Sequence, residues 1–196
     1  MTRMQRPLFI ALLGLMLGLG ACTSPSPQLY TIAPVSGAEH KAGPSVIVLQ
    51  QIGLARYLER QQIVRSSEGY KLDVLENDWW GEPLSAMLSR VLIEELSQRL
   101  PQSTVLGESG AVTVSPDATV ELNILRLDQD TAGQVILQAQ AGVNYKDQET
   151  PLLQSFRFSV PPSGTGVQNE VAAISTALGQ LADKLAPMIA TRSPVR

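Results

Sequence analysis

The sequence predicts an α+β domain, a mostly antiparallel β-sheet with two amphipathic helices packed on one face. Two observations carry this. Leu84, Met87, Leu88, Val91, Leu92, Leu96 and Leu100, and later Val171, Ile174, Leu178, Leu181, Leu185 and Ile189, recur at helical spacing. Between them, Ala118–Leu127, Gln134–Tyr145 and Leu152–Val160 alternate apolar with polar residues, which is the signature of an antiparallel meander with one wet face.

Taken in order, the chain opens with Arg3 and Arg6 before an apolar run, Pro7 to Leu19, that ends in Leu19-Gly20-Ala21-Cys22. A basic start, a short apolar stretch and a small residue before the cut describe a secretory signal over residues 1–21. The run falls short of the ~20 residues needed to span a bilayer. Cys22, directly after the cut at Ala21, makes this a lipobox: the thiol is expected to take a diacylglycerol and the freed amine an N-acyl chain. Two or more chains hold a protein stably on a membrane where one does not. Thr23, in place of aspartate, favours the outer membrane by analogy with enteric sorting rules.

Residues 22–28 then form a lipidated cysteine and a Pro/Ser tether, residues 29–190 one globular domain, and residues 191–196 a flexible tail. Leu29-Tyr30-Thr31-Ile32 predicts a short strand, and a Pro/Gly loop leads to Ser45–Leu49, a β-branched run suited to a buried central strand. Gln61–Arg65 resumes an extended pattern, Ser66–Gly69 predicts a hairpin turn, and Tyr70–Leu75 the return strand. Pro83 suits the first position of a helix preceded by the acidic Glu76–Glu82 stretch. In that helix Ser85, Ser89, Arg90, Glu94, Gln98 and Arg99 are expected mostly opposite the apolar stripe, and Pro101 stops it. Ser103–Leu106 adds a strand. After the meander, Pro161–Gly166 breaks the chain before the second helix, Gln168–Ala190, whose end Pro187 should bend or fray.

Composition narrows the function. Lys and Arg number 15 and Asp and Glu 18; without Arg3 and Arg6 the balance is 13 against 18, a formal charge of −5. That argues against nucleic acid and against attraction to anionic headgroups. With the single cysteine lipidated, neither a disulfide nor a cysteine metal site is expected. His40, the one histidine, lies in a polar stretch and reads as a solvated loop residue. Asp128–Gly133 opens like a calcium loop but lacks the closing glutamate, since Ala139 stands there, and reads as a polar hairpin turn. Glu94 and Glu95 diverge by about 100° on a helix and cannot work as an acid–base pair. Phosphate-binding, dinucleotide and serine-nucleophile fingerprints do not occur, so neither an enzyme nor a cofactor beyond the acyl groups on Cys22 is expected.

Two stretches suit a binding surface. Trp79 and Trp80 rarely both fit one core, and in an extended or turn segment they point apart, leaving one for a partner. Arg56, Tyr57, Leu58 and Arg60, within Arg56-Tyr57-Leu58-Glu59-Arg60, combine charge and aromatic character and suit either a solvated loop or an interface. A different reading places acyl chains in a cavity between sheet and helices, where Ala172, Ala173, Ala177, Gly179 and Ala182 could leave space or allow close packing.

The lipobox, Leu29-Tyr30-Thr31-Ile32, the stretch Arg56 to Arg65 and Trp79-Trp80-Gly81-Glu82-Pro83-Leu84 together resemble the ABC-type transport auxiliary lipoproteins, specifically the paraquat-inducible lipoprotein C (PqiC/YmbA-like) group. Gln51–Ala55 departs from the pattern in having no proline before the Tyr-Leu pair. The resemblance implies a non-catalytic accessory at the outer membrane, docking or bracing the tunnel of a mammalian-cell-entry (MCE) protein that carries lipid from an inner-membrane permease. It also implies possible homo-oligomers. The rival reading is a periplasmic lipid-binding carrier lipoprotein.

Overall fold

The computed structural model describes residues 26–66, 70–108, 110–112 and 114–191. The signal segment with Ala21 and Cys22, most of the tether, residues 67–69 of the expected hairpin turn and residues 192–196 lie outside the described residues. The elements are β1 (Gln28–Tyr30), β2 (Val46–Leu49), β3 (Gly53–Leu54), β4 (Gln62–Ser66), β5 (Leu72–Trp80), α1 (Leu84–Arg99), β6 (Thr104–Gly107), β7 (Ala118–Gln129), β8 (Val135–Tyr145), β9 (Leu152–Val160) and α2 (Val167–Ala190).

The fold is α+β. Strands β7, β8 and β9 form the long antiparallel meander, with ladders from Ala118↔Tyr145 to Gln129↔Val135 and from Val135↔Val160 to Val143↔Leu152. Along β7, Val120, Leu122 and Ile124 are buried while Glu121 and Asn123 are exposed. One face is therefore covered and the other wet. Helix α2 packs on β7, β8 and β9 and on α1, which also lies against β6.

Two features were not expected. Parallel pairs add β2 beside β7, β6 beside β2, and β3 beside β7, giving the order β6-β2-β7-β8-β9. A second, three-stranded sheet, β1-β5-β4, shares no ladder with it, although β4 packs against β7. Strand β2 is central as expected, but its burial alternates instead of being continuous, with Ile47 and Leu49 buried and Val46 and Val48 half-buried.

Strand β5 runs on through Trp80, so the acidic stretch leads no helix: Glu76–Asp78 belong to a strand, and Pro83 is the cap residue before Leu84. The apolar stripe of α1 is buried as predicted, from Leu84 to Leu100. Arg99 is a correction, because it is fully buried and not opposite that stripe. It lies seven residues after Leu92 and three after Leu96, on the same helical face. Pro187 does not end α2, which continues to Ala190, and the Thr191 N–H reaches the Pro187 carbonyl at 2.9 Å.

The small residues of α2 serve close approach. Ala177 and Ala182 are fully buried, and a Cβ on Gly179 would come within 2.8 Å of the Val35 Cβ. The loop between β1 and β2 thus lies directly on the helix. In this loop His40 is half-buried, and its backbone N–H caps the Arg99 carbonyl at 2.7 Å.

Candidate partner-docking site

The Arg56–Arg60 stretch forms a short 3-10 turn over Arg56–Leu58. It is held to the main sheet by Ala55, whose N–H donates to the Ile124 carbonyl at 2.9 Å. Leu58 points into the core at 4 % exposure. Tyr57 donates its hydroxyl to Asp128 at 2.6 Å, and burial, then this hydrogen bond, pushes its phenol well above the ordinary range. Arg56, Glu59 and Arg60 remain exposed. The structure thus divides the stretch: its apolar and aromatic members fasten it down, and its charges face outward.

Asp128 was expected in a turn and is instead a buried acceptor within β7, the turn beginning two residues later at Asp130. Asp130 Oδ1 accepts from the Ala132 and Gln134 N–H groups, which closes the hairpin. Asp128 takes hydrogen bonds from Tyr57, Ser66 and Arg126. The ladder slips between Ile124 and Arg126, leaving Leu125 as an extra residue that reverses the alternation of the strand. That slip sets Asp128 opposite Ile136 on the face that meets Tyr57 and β4. Nearby, Arg65 donates to the buried Glu170 at 2.7 Å; burial pushes the Glu170 carboxyl up, while the arginine pulls it down.

The tryptophans separate by strand geometry. Consecutive residues of β5 face opposite ways, so Trp80 is buried at 7 % exposure while Trp79 stays half-exposed. The Trp80 N–H donates to the Gln61 carbonyl at 2.7 Å, joining the β5 end to the segment just after Arg60. Between them opens a cleft of about 670 Å³ whose lining includes Gln51, Arg60, Gln61, Trp80, Glu82 and Ser85. Arg60 and Trp80, far apart in sequence, therefore meet in one concavity. Arg56, Tyr57 and Trp79 do not line it.

The cleft offers an apolar floor at Trp80, a cation at Arg60 and anions at Glu59 and Glu82; Glu82 is held by Arg90 at 2.6 Å. Such a mixture suits a protein surface with an apolar knob and a few charges. Among the described residues, no group of three or more His, Cys, Asp or Glu is placed to hold a metal ion.

Sequence reasoning missed the buried polar residues Glu95, Arg99, Asp128 and Glu170. For the first two a signal existed: both fall on the apolar stripe of α1, four residues apart. The Glu95 carboxyl is pushed up to about 7, chiefly by burial, although the Val35 N–H donates to it at 2.8 Å.

A protein-family model described as the ABC-type transport auxiliary lipoprotein component matches residues 28–186. Among curated proteins, none matches the chain. Two solved structures share the fold. One, described only as an uncharacterized protein, superposes with a TM-score of 0.71 at 17 % identity, covering 84 % of this chain and 99 % of that one. The other, a Xanthomonas campestris protein described as DUF330, gives 0.69 at 17 % identity, covering 83 % and 94 %.

Proposed function

The chain belongs to the ABC-type transport auxiliary lipoprotein family, and from that premise we propose that it is a non-catalytic, outer-membrane-anchored accessory of an MCE-type lipid transport system. Cys22 carries the diacylglycerol and N-acyl chain, the body sits on the periplasmic face, and the cleft at Arg60 and Trp80 docks or braces the tunnel protein. The observation that carries the reading is the family match, which starts at residue 28, six residues after the lipobox cysteine. Among the described residues no helix is long and apolar enough to cross a membrane.

The carrier reading draws less support. It needs room between helices and sheet, yet Gly179 touches Val35 and Ala177 and Ala182 are fully packed. Envelope fractionation tests the proposal. Wild type should carry acyl label, fractionate with the outer membrane and co-purify with an MCE protein, whereas Cys22→Ser should remain an unlabelled precursor in the inner membrane. Unchanged processing and location of Cys22→Ser would contradict it.

A further inference from the structure

The residues that line the docking cleft leave Trp79 without a role. Its strand neighbour in register is Leu29 of β1, and paired residues of neighbouring strands share a face. Leu29 is 66 % exposed, one of the most exposed large apolar residues among those described. Strand β1 is the edge of its sheet, and no further strand is paired beyond it among the described residues. Leu29 and Trp79 therefore form an apolar pair on the rim of the body, on the face of β5 away from buried Trp80.

The position of this rim follows from the chain before it. Leu29 is seven residues from Cys22, and fully extended chain spans at most ~3.6 Å per residue, so Leu29 can stand no farther than about 25 Å from the lipidated atom. A patch at the end of so short a tether meets the bilayer at high effective concentration, and a weak contact suffices to hold it there.

The chemistry matches. Tryptophan favours the membrane–water interface, where its ring is half in apolar surroundings. Here the indole N–H already donates to the Glu76 carbonyl at 2.8 Å, so the ring can enter that region without an unpaired donor. The stretch around it, from Leu72 to Ser89, carries no lysine or arginine to attract anionic lipid, which leaves apolar contact with a zwitterionic surface.

We propose that Leu29 and Trp79 form a membrane-contact patch that rests in the headgroup region of the leaflet holding Cys22, so that the body is oriented with its Arg60–Trp80 cleft turned away from that contact. The inference rests on the reading of Cys22 as the lipid anchor.

The chain has two tryptophans, and Trp80 is buried on the other face, so contact quenching by brominated chains reports Trp79 above a Trp80 emission that stays unquenched. The full lipidated protein is reconstituted in phosphatidylcholine–phosphatidylethanolamine vesicles whose acyl chains are brominated near the glycerol, with unbrominated vesicles as reference. Flotation reads the anchor and quenching reads the patch. Wild type should float and be quenched, Trp79→Phe should float and lose the quenching, and Leu29→Ser should float with quenching reduced. A protein that floats without quenching, or is equally quenched as Trp79→Phe, overturns the patch while leaving the anchor standing. Trp79 that stays unquenched yet crosslinks to a protein overturns it in favour of a protein partner. Failure to float overturns the anchor itself.

Discussion

Arg99 of α1 donates from Nε to Asp183 of α2 at 2.8 Å, with the guanidinium fully buried and the carboxylate half exposed. The same guanidinium donates to the backbone carbonyls of Val35, Glu95 and Gly179 at 2.9, 3.2 and 3.1 Å. One side chain thus pins both helices and the β1–β2 loop. Its planar fork of donors is what makes four partners reachable at once.

The two ends of this ion pair should therefore differ in weight. Arg99→Ala leaves two buried carbonyls and a partly buried one without that donor, and a cavity between the helices, costing on the order of 3 kcal/mol or more. Asp183→Asn keeps the carbonyl bonds and loses only a partly solvated charge, costing about 1 kcal/mol or less. Urea denaturation of the two variants checks the order; equal losses would show that the carboxylate, not the carbonyls, is what Arg99 serves.

Glu95 should make stability fall with rising pH. Its folded value of about 7 lies above the ordinary 4.5, because burial disfavours the ionised carboxyl. The stabilisation is therefore fully present below about pH 4.5 and lost as pH rises through about 7. Glu95→Gln keeps an oxygen for the Val35 N–H and removes the titration. From pH 5 to pH 8 it should gain on the order of 2 kcal/mol relative to wild type. A difference that does not change over this range would contradict the assignment.

Tyr57→Phe separates anchoring from docking. The variant loses the hydroxyl that donates to buried Asp128, which still accepts from Ser66 and Arg126. A loss of about 1 to 3 kcal/mol in stability is expected, with recovery of the tunnel protein unchanged. Undiminished stability with lost recovery would return Tyr57 to the docking surface.

How far the sequence reached follows from how local each signal is. The meander showed itself because Val120, Leu122 and Ile124 alternate within one strand, and the helices because Leu84 to Leu100 repeat every turn. The parallel pairing of β2 with β6 and β7 left no such trace, since β3, β4, β5 and α1 all intervene in the chain before β6 and β7 return beside it. The burial of Asp128 was hidden because a turn was expected to open there, whereas β7 runs on to Gln129 and the extra residue at Leu125 turns Asp128 toward Tyr57 and β4. Trp79 and Trp80 were legible as a divergent pair. That Trp80 meets Arg60, while Trp79 meets Leu29, is decided only by which strands flank β5 and where the chain leaves them.

The central claim, that the Arg60–Trp80 cleft is the docking surface, is most directly tested by the recovery of the MCE tunnel protein on Arg60→Ala against wild type, with melting temperature measured on the same samples. Arg60 is exposed and forms no part of the core, so the melting temperature should not move. A docking hot spot should cost ~2 kcal/mol or more of binding, more than tenfold in affinity at about 1.4 kcal/mol per decade. Equal recovery with Arg60→Ala and wild type would contradict the account and move the docking surface away from this cleft.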